Sequence, residues 1–304
     1  MARRRKVFSG QISDVDIRLM RVFRTVIECG GLSAAQTELG VGRSTISRQI
    51  ADLETRLGLR LCHRGRAGFS LTQAGRQVLD YVDRFLKSAD DFSANIAAMG
   101  NRLVGRLEIG LMDFALTDEA NPLLGAIKTC RADAPGLTVN ITVGTPAEIE
   151  RGVLDGRLHL GVVPDYHRTP GLQCHPLYDE PVGLFCGGDH PLAQALDRGA
   201  PLSEREIRAH ALVYRGYFES DLLRQRKLAF PQGSTAYQTE AVMGLIQSGI
   251  YIGFLPVHCQ RHLHGRSHEL LPELFRYSTP IHAIWRSDRE QSATLSDFLP
   301  LFLG

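Results

Sequence analysis

The sequence predicts three consecutive parts: a small all-α domain closed by a hairpin, one long helix, and an α/β domain large enough for two lobes. Three observations carry this reading. Residues 14–72 hold three short helical patterns punctuated by glycines and followed by a Gly- and Arg-rich tip. Residues 78–99 place apolar side chains at heptad spacing. From Gly105 onward, strand-like and helix-like segments alternate. At 304 residues, with 43% hydrophobic and 22% charged side chains, the chain has the length and composition of about two globular domains.

The first helix is expected over residues 14–29, with Leu19, Met20, Phe23, Val26 and Ile27 on one face and Gly30-Gly31 ending it. A second is expected from Ser33, whose hydroxyl is placed to cap it, and it buries Ala34, Ala35 and Leu39. Gly40 supplies a turn. In the third helix Ile46, Ile50, Leu53 and Leu57 fall at i, i+4, i+7 and i+11, a single apolar stripe closed by Gly58. The stretch "LRLCHRGRAGFSLT" has two short apolar runs around a Gly-Arg tip, which predicts a hairpin.

From Thr72 the pattern changes. Val78, Val82, Phe85, Ala89, Phe92, Ile96 and Met99 are spaced 4, 3, 4, 3, 4, 3, a heptad seam that predicts pairing with a second copy of the chain. Beyond Gly105, "RLEIGL", "LTVNITV", "LHLGVV", "VGLFC", "ALVY", "GIYIGFL" and "IHAIW" read as strands. Helices at "NPLLGAIKTCRADA" and "AEIERGVLDG" lie between the first three. This rhythm predicts a mostly parallel, helix-covered sheet.

Charge narrows the function. Residues 1–72 carry 13 Lys and Arg against 6 Asp and Glu, a net +7, whereas the rest carries 22 against 27, a net −5. A basic N-terminal quarter is what a polyanion partner requires. With Ile46, Ile50 and Leu53 turned inward, Ser44 and Arg48 point away from the core and Thr45 and Ser47 lie to the sides, at the end of the helix that reaches base edges in a major groove. Arg48 suits guanine or phosphate, and the hydroxyls suit either. Arg64 and Arg66 at the hairpin tip are placed for the backbone or minor groove.

Several classes are disfavoured. No apolar run reaches the roughly 18 residues that a membrane span needs. The basic start "MARRRKVFSG" is followed by no apolar segment, so it does not read as a secretion signal, and a cytoplasmic location is expected. Cys29, Cys62, Cys130, Cys174, Cys186 and Cys259 are scattered, which suggests reduced thiols. No Ser-His-Asp ordering, phosphate loop or glycine fingerprint points to an enzyme, and no cofactor is expected. His258, Cys259, His262, His264 and His268 crowd one segment, with His258 and His262 at i, i+4. Surface histidines are preferred there over a metal site, because no acidic residue lies in the segment before Glu269.

Residues Asp16 through Gly75 resemble the DNA-binding domain of LysR-type transcriptional regulators. The resemblance rests on Ser33-Ala34-Ala35, Leu39, Val41, Ser44, Ser47-Arg48-Gln49-Ile50, Leu53-Glu54, Leu57-Gly58, Leu61, Arg64 and Leu71-Thr72. "LEIGLMD", "LDGRLHLGVV", "PLYDEPVGLFCGGDHPLA" and "GIYIGFLP" are similar to stretches of that family's effector-binding domain. Three departures stand out. Gly42 replaces the usual capping serine, so a looser helix start is expected. Cys62 replaces a wing phenylalanine. Arg43 stands where a polar amide or small residue is common.

The resemblance implies a basic arm (1–13), a winged helix-turn-helix domain (14–72), a linker and dimerisation helix (73–102), and a periplasmic-binding-protein-like effector domain (103–304). The lobes of the last would be 103–164 with 268–304, and 165–267. It further implies contacts to operator DNA through Ser33, Arg43, Ser44, Thr45, Ser47, Arg48, Arg64 and Arg66, a homodimer or dimer-of-dimers tetramer, and RNA polymerase as a partner. A small effector is expected between the lobes, near strand ends. The loops concerned hold Met112, Asp113, Phe114 and Thr117; Gly144, Thr145 and Pro146; Arg215 and Phe218; and Phe254. Thr117 and Thr145 would donate hydroxyls and Phe218 and Phe254 would wall the pocket, with a carboxylate ligand expected if Arg215 points inward. A thiol switch would need two cysteines close in sequence in the second lobe, and none lies between Cys186 and Cys259.

Overall fold

Helix α1 (Asp14–Glu28) begins at a capping box: the Ser13 hydroxyl accepts from Asp16 N at 3.4 Å, and the Asp16 carboxylate accepts from Ser13 N at 2.9 Å. Asp16 is nonetheless buried, because it also meets Arg56 near the end of α3 (Arg43–Leu57). Arg56 Nη2 donates to Asp16 Oδ2 at 3.0 Å, and Nε donates to Oδ1. These bonds hold the Asp16 carboxyl well below the usual carboxylate range. Leu19, Met20, Phe23 and Val26 of α1 pack with Ile46, Ile50 and Leu53 of α3, as the sequence periodicity requires.

The computed structural model describes residues 11–65, 68–99, 105–164, 169–216, 230–287 and 291–304. The chain divides into two units, residues 1–93 and 94–304. In the first, α2 (Ala35–Leu39) starts later than expected, and Ser33 makes no side-chain cap. Residues 32–34 form a turn that buries Leu32 instead of Ala34, which is exposed, as is Ser33. Burying the larger side chain decides the local geometry.

The hairpin forms where predicted, from β1 (Cys62–Gly65) and β2 (Gly68–Leu71), with Cys62 opposite Leu71. Its entry is fixed by Glu54, whose Oε1 accepts from Leu61 N at 2.8 Å and Cys62 N at 3.1 Å. Thr72 then caps α4 (Gln73–Met99), accepting from Gly75 N at 2.9 Å. A Cβ at Gly75 would lie 2.0 Å from the Leu61 carbonyl oxygen, so only glycine lets α4 approach this loop.

The expected continuous seam along α4 is corrected. Val82 and Leu86 are buried in the core of the N-terminal unit, and Val78, Leu79 and Phe85 pack against that core. Ala89 is half-buried, while Phe92 and Ile96 are 67% and 53% exposed. A domain of three short helices lacks the surface to close its own core, so the first turns of the following helix cover it.

The second unit comprises β3 (Gly105–Leu111), α5 (Leu123–Asp133), β4 (Leu137–Val143), α6 (Pro146–Leu154), β5 (Leu160–Pro164), β6 (Leu172–Gly187), α7 (Pro191–Asp197) and α8 (Glu204–Ile207). It continues with β7 (Leu212–Arg215), β8 (Gln232–Ala236), α9 (Thr239–Gln247), β9 (Ile252–Pro256), a 3-10 helix (Val257–His262), β10 (Ser267–Glu269), α10 (Pro272–Phe275), β11 (Tyr277–Arg286) and α11 (Ala293–Leu303). The strand order is β4-β3-β5-β11-β6-β9-β7-β8, with β10 beside β6.

The sheet is mixed, not mostly parallel. β4-β3-β5 and β9-β7-β8 are parallel, but β6 and β11 run antiparallel to each other and to their flanking strands. Single strands that cross between two parallel halves look in sequence like any other buried strand, so spacing alone misses them. The β4-β3-β5 half is covered by α5 and α11 on one face through Leu107, Leu123, Phe298 and Phe302, and by α6 on the other through Ile149 and Val153. The other half is covered by α7, α8 and α10 on one face and by α9 and the 3-10 helix on the other.

The Asp16–Arg56 pair should give the N-terminal domain a pH-dependent stability. Because the folded pKa of Asp16 is depressed, its contribution is present above the unfolded value of about 3.9 and is lost as pH falls through the folded value. Asp16→Asn should therefore unfold at lower urea than the parent at pH 6, and the gap should narrow as the pH is lowered past 4. A gap of constant size would show that the pair contributes no linkage.

Candidate functional site

Two sites can be built from these elements, one in each unit. In the first, α3 turns Ile46, Ile50 and Leu53 into the core and leaves Arg43, Ser44, Thr45 and Arg48 exposed, with Ser47 half-buried. Among the described residues Arg43 and Arg48 have no ion-pair partner. The helix start is not loose, contrary to expectation. Gly42 provides no cap, but the Gln36 carboxamide on α2 replaces it: Oε1 accepts from Arg43 N at 3.0 Å, and Nε2 donates to the Ser33 carbonyl at 3.1 Å. One side chain thus joins the turn to the first orphan amide of α3. Exposed guanidinium groups, hydroxyls and the positive end of the helix dipole then share one surface. The Arg64 side chain and all of Arg66 lie outside the described residues.

In the second unit, β3 runs into Met112, Asp113 and Phe114 and then a 3-10 turn, Ala115–Thr117. The Asp113 carboxylate accepts from Thr239 N at the start of α9 and lies 3.9 Å from Arg215 Nη1 at the end of β7. Arg215 Nη2 donates to Thr239 Oγ1 at 2.9 Å. The Arg215 side chain is only 9% exposed, so it points inward, with its charge set against Asp113. Further along the same loop, Asp118 Oδ1 accepts from Ala120 N at 2.9 Å, while Oδ2 sits 3.4 Å from His258 Nδ1. Glu180 Oε1, on β6, lies 3.9 Å from the same nitrogen.

Burial dominates the electrostatics of this cluster. It pushes the Glu180 carboxyl up to about 7, with Asp118 adding to the rise and Arg215 opposing it. Burial also lowers the His258 pKa, against the pull of Asp118. The adjacent Cys259 thiol is raised to about 12 for the same reason, which makes it an inert core group. At the rim, Arg261 Nη1 meets Glu119 at 2.6 Å and Nη2 donates to the Thr117 carbonyl. Phe114 adopts φ +63°, a left-handed conformation uncommon for an aromatic residue, and its ring meets that of His262 edge-on at 5.6 Å.

Several expected pocket residues have other roles. The Thr117 hydroxyl donates to the Phe114 carbonyl at 2.8 Å. Thr145 is the N-cap of α6, its hydroxyl paired with Glu148 at 2.8 Å, and Pro146 is the first residue of that helix. Gly144 N donates to the Leu111 carbonyl at 3.1 Å. Phe254 is buried in the core, its ring 6.3 Å from Phe230 and 5.7 Å from Tyr277. Met112 packs toward Ile149 and Val153. Phe218 lies outside the described residues. Asp113 and Arg215 lie 3.9 Å apart.

The histidine segment is also corrected. His258 is a half-buried group facing two carboxylates, not a surface histidine, and the 3-10 geometry removes the helix-face pairing of His258 with His262. Sequence reasoning missed Asp118, Glu180 and Thr239, which no local spacing links to His258 or Arg215. It also missed Asn121, whose Nδ2 donates to the Ala115 carbonyl at 2.9 Å and whose Oδ1 accepts from Leu123 N at 3.0 Å, tying the loop to α5.

Residues 17–76 match the bacterial regulatory helix-turn-helix protein, lysR family, and residues 100–303 match the LysR substrate binding domain. The chain belongs to the LysR family of transcriptional regulators. It is 38% identical over 301 residues to the HTH-type transcriptional activator BauR of Pseudomonas aeruginosa, covering 98% of each chain. It is 27% identical over 247 residues to the probable HTH-type transcriptional regulator LrrA of Synechococcus elongatus, covering 80% of this chain and 81% of that one.

The fold is similar to that of CbnR in its complex with target DNA, with a TM-score of 0.67 and 22% identity over 94% of this chain and 98% of that one. This LysR-type chain is thus a DNA-binding transcriptional regulator with a C-terminal effector-binding domain. No helix among its described residues is long and apolar enough to cross a membrane.

If Gln36 caps the recognition helix, Gln36→Ala should cost the N-terminal domain about 1 kcal/mol in urea denaturation. Gln36→Glu keeps the acceptor at the positive end of the dipole but loses the donor to Ser33, so it should recover part of that loss. Equal loss in both variants would assign Gln36 no capping role.

Proposed function

We propose that the exposed end of α3 reads operator DNA in the major groove, with Arg48 on a base and Arg43, Ser44, Thr45 and Ser47 on base edges or phosphates. Ser33, Arg64 and Arg66 would meet the backbone beside it. The observation that carries this is the pairing of an apolar buried face with a polar, cationic leading end on one helix capped from outside. Arg48→Ala should cost about 1–3 kcal/mol on the operator and relax preference at one position. Equal loss on operator and random DNA would reduce Arg48 to a phosphate contact.

The effector site in this reading lies where Asp113 and Phe114 meet Arg215 and Thr239. A small ligand entering there competes with Asp113 for Arg215, and a carboxylate does so most directly. Thermal shift against organic acids, amino acids and aromatic metabolites identifies the class, because a ligand of the native state raises its melting point. Arg215→Ala should abolish the response while leaving effector-free operator affinity intact. An unchanged response would remove Arg215 from the site.

The chain would act in the cytoplasm as a homodimer or dimer-of-dimers tetramer that engages RNA polymerase, with no catalytic step. Reading a palindromic site requires two recognition helices about 34 Å apart, and the exposed later part of α4 is suited to set that spacing. Phe92→Asp, unlike a change at the half-packed Phe85, places a charge on the exposed segment without entering the domain core. It should yield monomers with weak operator binding. An unaltered dimer in sedimentation would place the contact elsewhere.

A further inference from the structure

Asp118, Glu180 and His258 come from three separate elements: the loop after the first 3-10 turn, strand β6, and the 3-10 helix after β9. Each contributes one potential ligand atom, and the three atoms lie within 4.8 Å of one another. Their side chains are 10%, 14% and 12% exposed. His258 Nδ1 is buried and faces both carboxylates, and the Phe114 backbone also acts on the imidazole as a hydrogen-bond partner.

Two carboxylates and an imidazole nitrogen held this way present converging lone pairs. Nearby cations are bonded outside the cluster, Arg215 to Thr239 and beside Asp113, and Arg261 to Glu119 and the Thr117 carbonyl, although the Arg215 charge also acts on Glu180. Metal–ligand bonds of about 2.0–2.2 Å put neighbouring ligand atoms roughly 3.0–3.5 Å apart in tetrahedral or octahedral geometry. The two distances from His258 Nδ1, 3.4 and 3.9 Å, are near that range, and the carboxylate oxygens lie within 4.8 Å of each other, so side-chain rotation has to close the set.

From this geometry we infer a divalent-cation site formed by Asp118, Glu180 and His258 in the effector-binding domain. The donor set of two oxygens and one imidazole nitrogen selects a first-row transition ion such as Mn2+ or Zn2+ over Mg2+ or Ca2+, which prefer oxygen alone. Three protein ligands leave coordination positions for water or for an oxygen of a bound small molecule. With an ion bound, the two carboxylates supply the anionic ligands and the His258 imidazole the neutral one. The Cys259 thiol, 3.5 Å from His258 Nε2, lies on the other ring nitrogen and is not a ligand. A bound ion ties the β3 loop to both β6 and the segment after β9, in the domain that the functional reading gives to the effector. The site itself does not depend on that reading.

The test uses the full-length protein, stripped with a chelator and titrated with Mn2+, Zn2+ and, as a spectroscopic probe, Co2+. Saturation at one ion per chain, a raised melting temperature and Co2+ d–d absorption are expected. Asp118→Asn, Glu180→Gln and His258→Gln should each weaken binding about tenfold or more. His262→Gln and His268→Gln should leave it unchanged. Glu180→Gln keeps the shape and removes a buried charge, so its stability without metal separates misfolding from ligand loss.

Affinity unaffected by His258→Gln, or lost with His262→Gln, overturns the inference in favour of surface histidine capture. A thermal response to ethylammonium with none to the metals overturns it in favour of an ammonium ligand. Operator binding measured in parallel keeps the outcomes apart. Intact DNA binding without metal binding sinks only the cation site, whereas metal binding without DNA binding sinks the regulatory reading.

Discussion

The C-terminal domain depends on the antiparallel pairing of β6 with β11, which runs from Tyr277 opposite Val182 to Arg286 opposite Leu172 and shifts register between Ile281 and His282. These two strands join a parallel half made of β3, β4 and β5 to another made of β7, β8 and β9. Neither half closes a site alone. Their connection gathers the ends of β3, β7 and β9, which deliver Asp113 with Asp118, Arg215 and His258. Glu180 lies on the crossing strand itself, opposite Thr279. Loops at the carboxyl ends of strands are where open α/β sheets bind ligands. Here two such sets of loops face one cluster across residues more than 100 positions apart in the chain.

In the N-terminal domain, the recognition helix is held at both ends by groups outside it. Gln36 of α2 caps its first turn, and Asp16 of α1 binds Arg56 in its last. Glu54 on the same helix fixes the entry to the hairpin. With orientation set at the ends and by Ile46, Ile50 and Leu53 on the inner face, Arg43, Ser44, Thr45 and Arg48 are left exposed on the outer face. Its leading end exposes Arg43 and Arg48 in a segment, residues 1–72, that carries a net +7.

What was legible in the sequence follows the range of the interactions concerned. The three helices, the turn at Gly40 and the hairpin rest on contacts within a few residues, and their patterns predicted them. The cap by Gln36 skips seven positions, and so glycine at 42 suggested looseness that the fold does not have. The heptad pattern on α4 was real, but periodicity cannot distinguish a partner's core from the chain's own, and Val82 belongs to the latter. Phe254, expected near a strand end, lies mid-strand in β9, and Thr117 and Thr145 follow β3 and β4. Their side chains turn into the core or bond locally, which no spacing reveals. The meeting of Asp118, Glu180 and His258 depends on tertiary topology alone.

The loop after β3 is the element through which the two halves of the effector domain exchange forces. It carries Asp113 to Arg215 and Thr239, Asp118 to His258, the Thr117 carbonyl to Arg261, and Phe114 to His262. Phe114 sits at φ +63° within it, a conformation costing of order 1–3 kcal/mol that surrounding contacts must sustain. Coupling between an effector and a distant operator typically amounts to about 1–3 kcal/mol, the same scale. An effector alters an equilibrium only through contacts that differ between two states. A loop holding one left-handed aromatic residue and these five polar or aromatic contacts to the opposite half is where such a difference can arise. The loop is anchored by β3 on one side and by α5 on the other, so a change in its contacts acts on elements packed in the domain core.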